Sequence, residues 1–263
     1  MKIAYICPVY DALNLNAYTI RALESFFATT KDGIAIVVDD GSADWAKAVP
    51  ALEQIKMVSG QQLIMHHYPE WGGLTRSWNK GLEIAEQLQV DYACPSNNDV
   101  LFTPGWYTGL VHALSHGYSL VGPLSNAPGH TSPVKASITT YVPDYVLTDS
   151  PEYLVSLAAR LQANAGKIVQ TRVNGFFQMA KMQDFISGKF DEEHFYRPIN
   201  DYSSTKIKNK TPLMTLNEDE LQRRWAKLKR KFAVSLSSFI FHYRAVSRGK
   251  EHKTKLSYRL KDT

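Results

Sequence analysis

Two kinds of apolar run alternate along the first half of the chain. KIAYICPVY (residues 2–10) and GIAIVVDDGS (33–42) are nearly unbroken β-branched and aromatic stretches that end in polar residues and a turn, as strands buried on both faces do. Between them, NLNAYTIRALESFFATT sets Ile20, Leu23, Phe26 and Phe27 at helical spacing behind an asparagine. A helix following HHYPEWGG puts Leu74, Trp78, Leu82, Ala85 and Leu88 on one face. The strand VDYACP, a helix from Gly105 to Ser115 and the strand YSLVGP complete this half. Strands separated by single helices predict βαβ units: an α/β fold with a Rossmann-like, mainly parallel sheet flanked by helices.

Composition narrows the class. With 263 residues, 44% of them hydrophobic, the chain can bury the core of one large domain. We read residues 1–123 and 124–263 as two halves of that domain. No apolar run reaches the roughly 20 residues of a membrane helix, and Pro8 breaks the first one, so a soluble, cytoplasmic protein is expected. Cys7 and Cys94 lie in apolar strands and read as core thiols. Charge is uneven: residues 218–263 hold 13 Lys/Arg against 5 Asp/Glu, a basic region suited to polyanions or a membrane surface.

Chemistry gathers at strand ends. PVYDA, VVDDGSAD and PSNNDV each close a strand with small polar or acidic residues, and sites in parallel sheets lie at the carboxyl edge. Dinucleotide, P-loop, nucleophile-elbow and zinc-helix motifs are all missing from the sequence. Strand-end carboxylates suit a hydrogen-bonded base or ribose, and a hard divalent cation holding phosphates.

In order, CPVYDALNLNAYTIRALESF, IVVDDGSAD, GGLTRSWNKGL, PSNNDVLFTPGWYTGLV, NGFFQMAK, GKFDEEHF, NEDELQRRW and FIFHYRAVSR resemble the blocks of family 2 glycosyltransferases with the GT-A fold. The resemblance covers nearly the whole chain and implies an inverting enzyme that uses Mn²⁺ or Mg²⁺ and takes a sugar from a nucleoside diphosphate. It implies donor-site roles for Pro8, Tyr10, Asp39, Asp40, Gly73, Arg76 and Asn79, with Asp39 on the base edge. A carboxylate there accepts an imide N–H, which favours a UDP-sugar. NND stands at the family's D-x-D metal motif, so Asp99 becomes a metal ligand and Asn97 a donor-site residue, while alternation along an extended segment turns Asn98 away. Asp219 is implied as the base with Glu218 as its neighbour, behind Asn217 as helix cap; His242 is a further metal ligand, with Arg244, Ser247 and Arg248 beside the leaving diphosphate.

The remaining segments concern the acceptor. Phe176, Phe177 and Gln178 are candidates for a sugar-stacking wall, with core packing the stronger reading. Residues 124–172, turning helical from Pro151, read as a flexible acceptor-side insertion. His66 and His67 read as loop residues. A saccharide or lipid-linked saccharide acceptor is expected, with peripheral membrane contact allowed by the basic region; hydroxymethylated viral DNA is the alternative. A nucleotidyltransferase or a non-catalytic sugar-nucleotide binding module would use the same strand-end aspartates.

Overall fold

The unbroken apolar runs become the centre of a parallel sheet, as their lack of a polar face requires. The computed structural model describes residues 1–12, 16–129, 133–192, 196–197, 211–212 and 217–243. In chain order these form β1 (Ile3–Val9), α1 (Asn16–Thr29), β2 (Gly33–Asp39), α2 (Trp45–Ser59), β3 (Gln62–His67), α3 (Leu74–Gln87), β4 (Tyr92–Pro95), β5 (Val100–Phe102), α4 (Thr108–Ser115) and β6 (Leu120–Leu124). There follow α5 (Pro133–Ala136), α6 (Ile138–Tyr141), α7 (Pro151–Leu161), β7 (Ile168–Gln170), β8 (Ala180–Lys181), α8 (Met182–Ile186), β9 (Tyr196–Arg197), β10 (Thr211–Pro212), α9 (Asn217–Lys227) and β11 (Phe232–His242).

One sheet runs β3-β2-β1-β4-β8, parallel except for β8. Every residue of β1 and β2 is buried, which matches their continuous hydrophobicity. A second sheet centres on β11, which pairs antiparallel with β5 and β7 and parallel with β6. The segment ahead of β8 joins the two sheets: Ser96 bridges Phe177, and Val121 bridges Met179.

Helices cover both faces. Thr19, Ala22, Leu23, Phe26 and Phe27 form the buried stripe of α1 at helical spacing. On the opposite face α3 buries Trp78, Gly81, Leu82 and Ala85 against Ala4, Ile6, Ile36 and Val38. Cys7 and Cys94, in adjacent strands β1 and β4, are fully buried; burial pushes the Cys7 thiol up to about 12 and the Cys94 thiol well above its usual value.

Three features depart from expectation. Gln62–His67 is a strand, an edge partner of β2, and not part of a loop. The helix expected from Gly105 starts at Thr108, because Gly105 takes a left-handed conformation with φ of 73°. The insertion, expected to be a flexible loop, has a core of its own: Leu124, Ala136, Ile138, Val142, Leu154, Leu157 and Leu161 pack with Val234, Leu236, Phe239 and Phe241 of β11. As expected, α7 starts at Pro151, and the Ser150 hydroxyl accepts the N–H of Tyr153. A polar clasp fastens this layer, with Tyr243 donating to Asp149 at 2.9 Å and Arg21 pairing with Asp149 at 3.0 Å.

Gly81 marks the tightest approach of α3 to the sheet. A Cβ there would fall 2.2 Å from Cγ2 of the fully buried Ile6. Gly81→Ala should therefore lose about 1–3 kcal/mol to overpacking, despite the better helix propensity of alanine, and lower the urea midpoint.

Candidate active site

The carboxyl ends of the three strands β1, β2 and β3 come level, with Val9 paired to Asp39 and Asp39 to His67. Asp39 is fully buried and faces α2. Its Oδ2 accepts the Ser42 amide at 2.9 Å and faces His67 Nδ1 at 2.7 Å, while Oδ1 accepts the Ser42 hydroxyl in a short hydrogen bond. Expected on the base edge, the carboxylate is enclosed by these three contacts.

Asp40 turns to the other side. It accepts the amides of Gly72 at 3.1 Å and Gly73 at 2.7 Å, and Arg76 Nη2 at 2.6 Å. Gly73, at φ of 94°, precedes the first turn of α3, so Asp40 folds the loop that leads into that helix. The Arg76 guanidinium lies 3.9 Å from the Tyr68 ring centroid. Pro8 is buried inside β1, whereas Tyr10, just past the strand, is 49% exposed with its ring 6.5 Å from that of Trp71. Asn79, expected at the donor site, lies mid-helix with its amide committed to the backbone of Phe190 in both directions, at 2.8 and 3.0 Å, and to Glu192. This bracket ties α3 to the 190–192 segment.

The NND segment and the end of β11 meet. His242 pairs with Val100 in the β5–β11 register, which brings its ring to Asp99 and Asn97. His242 Nε2 is 3.4 Å from Asp99 Oδ1 and 3.3 Å from Asn97 Nδ2. The other ring nitrogen, Nδ1, sits 2.8 Å from the carbonyl of Ala127 and must carry the proton, since a carbonyl only accepts. Nε2 thus turns its lone pair toward the Asp99 carboxylate. An imidazole nitrogen, a carboxylate oxygen and a carboxamide thus meet at one point, with the ring fixed from behind by a backbone oxygen, a donor set that suits a divalent cation. Among the described residues no three His, Cys, Asp or Glu side chains gather as a metal set, so Asn97 would have to serve as the third member. Asn98 points away as expected, to Thr19 of α1 at 3.0 Å.

Phe176 stacks on His242 at 4.8 Å with 14° between the planes, and its carbonyl accepts the Asn97 amide and the Ser96 hydroxyl, both at 2.8 Å. Phe177 packs in the core with Phe102 and Trp106. Gln178 is fully buried, and its amide atoms have no partner among the described residues.

The first turn of α9 approaches from the other side. Gln222 brackets Val173, accepting its N–H at 2.7 Å and donating to its carbonyl at 2.8 Å. Four residues earlier on that face, the Glu218 carboxyl lies against Gly175, where an added Cβ would fall 2.5 Å from Cδ. Asp219 faces Arg172 at 3.4 Å. Glu218 therefore lies against the chain neighbour of Phe176, the ring stacked on His242, and Asp219 is the next residue of the same turn. The side chain of Asn217 and all of Arg244, Ser247 and Arg248 lie outside the described residues.

What sequence reading missed is the support around these groups. Asn126 accepts the His242 N–H at 2.8 Å and donates to its carbonyl at 2.9 Å, and His67 contacts Asp39. Neither belongs to a short motif; the apolar LIM before His66 was the one available sign of a strand that would carry His67 to the sheet edge. Replacing buried Asn126 by Ala would strand an N–H and a C=O of β11. About 2–4 kcal/mol of stability should be lost, measurable by chemical denaturation.

No protein-family model and no curated protein matches the chain. Solved structures do. S. aureus TarS 1-349 aligns with a TM-score of 0.55 at 13% identity, over 92% of this chain and 60% of that one. GalNAc-T7, solved with UDP, GalNAc and Mn²⁺, gives 0.60 at 13% identity, over 92% and 44%. The mannosyltransferase PcManGT of Pyrobaculum calidifontis, solved with GDP-Man and Mn²⁺, gives 0.58 at 12% identity, over 94% and 58%. The chain spans about half the length of these proteins. Its fold is theirs, the GT-A fold: a mainly parallel sheet between helices, with the candidate site at the carboxyl edge.

Proposed function

We propose that the protein is an inverting glycosyltransferase that moves a sugar from a nucleoside-diphosphate sugar, a UDP-sugar in the first instance, to a hydroxyl of a saccharide or lipid-linked saccharide. The observation that carries this reading is the meeting of His242 with Asp99 and Asn97, with Nε2 freed by the Ala127 carbonyl. The structural neighbours solved with UDP or GDP-Man and Mn²⁺ support a nucleotide-sugar donor and a divalent ion.

Asp99 and His242 would hold the ion, with the carboxamide oxygen of Asn97 beside them after a rotation of its amide. An imidazole among oxygen ligands weights the set toward Mn²⁺ over Mg²⁺. The ion would supply positive charge to a diphosphate leaving group. Asn97 in place of a second carboxylate makes the site less anionic, so ion and diphosphate should bind as a unit.

The chain's own residues do the rest. Arg76, fixed by Asp40 and the Tyr68 ring, brings a guanidinium to the donor loop, where it would pair with phosphate oxygens. Gly72 makes room for that guanidinium, since a Cβ there would fall 2.1 Å from Arg76 Cζ, and Gly73 takes the φ of 94° that the turn into α3 requires. Inversion needs a carboxylate on the face opposite the leaving group, in hydrogen-bond reach of the acceptor hydroxyl. The first turn of α9 offers it. Asp219 takes the hydroxyl proton as oxygen attacks the anomeric carbon; Arg172 steers its carboxylate and Glu218 lines the acceptor side near Phe176.

Two measurements test this. In a thermal-shift panel of sugar nucleotides with and without Mn²⁺, one donor should raise the melting temperature by several degrees and do so more with Mn²⁺; a ligand at about 100 times its Kd adds roughly 2.7 kcal/mol. A flat panel would refute the reading. With that donor, Asp219→Asn should keep affinity within about twofold and cut kcat by at least about 100-fold, whereas Glu218→Gln should cost less than about tenfold. The reverse ranking would move the base to Glu218.

A further inference from the structure

We propose that His67, held by Asp39, is the residue that reads the donor's nucleobase, selecting a base whose pairing-edge ring nitrogen carries a hydrogen. The inference rests on the nucleotide-sugar reading above and goes beyond it by naming the residue and the feature of the base that it recognises.

Geometry at the strand edge leads there. Asp39 is level with Val9 on one side and His67 on the other, at the carboxyl end of the sheet. Its carboxylate meets three donors, the Ser42 amide, the Ser42 hydroxyl and His67 Nδ1, and the side chain has no exposed surface. No oxygen is left open to a base. The His67 side chain is 39% exposed and is the part of this network that solvent reaches.

The ring is held, not loose. It stacks on Trp45 with centroids 5.8 Å apart and planes 3° from parallel, and Nδ1 is 2.7 Å from Asp39 Oδ2. A carboxylate only accepts, so Nδ1 carries the hydrogen, and in that tautomer Nε2 is the acceptor. Nε2 has no hydrogen-bond partner among the described residues. Tyr10 and Trp71, an aromatic pair beyond the ends of β1 and β3, provide π-faces near the same edge.

An acceptor fixed at this edge sorts bases by their ring nitrogen. Uracil N3–H and guanine N1–H can donate to it. Cytosine N3 and adenine N1 would present a lone pair to a lone pair, an unfavourable contact that also leaves both unpaired. Ser42, Asp39 and His67 share residue types with a nucleophilic triad, but the serine hydroxyl contacts the carboxylate and not the imidazole, so nothing activates it as a nucleophile.

Calorimetric titration of the full chain with UDP, GDP, CDP and ADP at fixed Mn²⁺ tests the proposal. UDP or GDP should bind at least about tenfold tighter than CDP and ADP. Methylating N3 of UDP or N1 of GDP should erase that margin on the wild-type protein. His67→Ala should bring the preferred nucleotide down about tenfold and leave CDP and ADP within about twofold. Tightest binding of CDP or ADP, indifference to methylation, or a discrimination unchanged in His67→Ala would each overturn it. The methylated nucleotides decide the question on the wild-type protein even where His67→Ala does not fold. Failure of all four nucleotides to bind is a separate result: it would remove the nucleotide-sugar reading itself.

Discussion

Two adjacent carboxylates, Asp39 and Asp40, are buried at the end of one central strand, and one side of the candidate site is organised by what they require. Removing a charge from water costs several kcal/mol unless every lone pair finds a donor. Alternation along β2 sends the two side chains to opposite faces, so each recruits its own partners: Ser42 and His67 for one, Gly72, Gly73 and Arg76 for the other. The turn after β2, the end of β3 and the loop before α3 are thereby fixed by one dipeptide. Ser42 extends the network to the first loop by accepting the Ala12 amide at 3.1 Å.

The other side of the cleft depends on a single long strand. β11 runs beside β6, β7 and β5, and its last residue reaches Asn97 from 145 positions away in the chain. Asn126 and Ala127, just past the end of β6, hold His242 by its backbone and its ring. The insertion packs its apolar core against this strand, so it helps set the position of the candidate ligand that its first residues, Asn126 and Ala127, hold directly.

Legibility followed the range of the interactions. β1, β2, α1 and α3 were readable because their burial patterns are local in sequence, and the turn of Asn98 toward α1 because alternation along an extended segment is local too. β3 escaped notice: its apolar part is only Leu63, Ile64 and Met65, with two histidines closing it, and without that strand His67 looked like loop. The partners of Asn79 escaped notice for a related reason. Its helix was read correctly, but the partner that claims its amide, Phe190, is 111 residues away. The insertion looked loose because its Gly, Pro, Ser and Thr residues conceal aliphatic positions whose partners lie on β11. Contacts over such separations follow from the topology, and short motifs do not contain them.

Cys7 and Cys94 sit in neighbouring strands, Cys94 level with Tyr5, out of reach of solvent and with thiols disinclined to ionise. Alkylating reagents attack thiolates, so either sulfur can react only when β1 and β4 part. The protein therefore carries its own clock for opening of the central sheet, and a cysteine introduced on the surface would label against a silent native background.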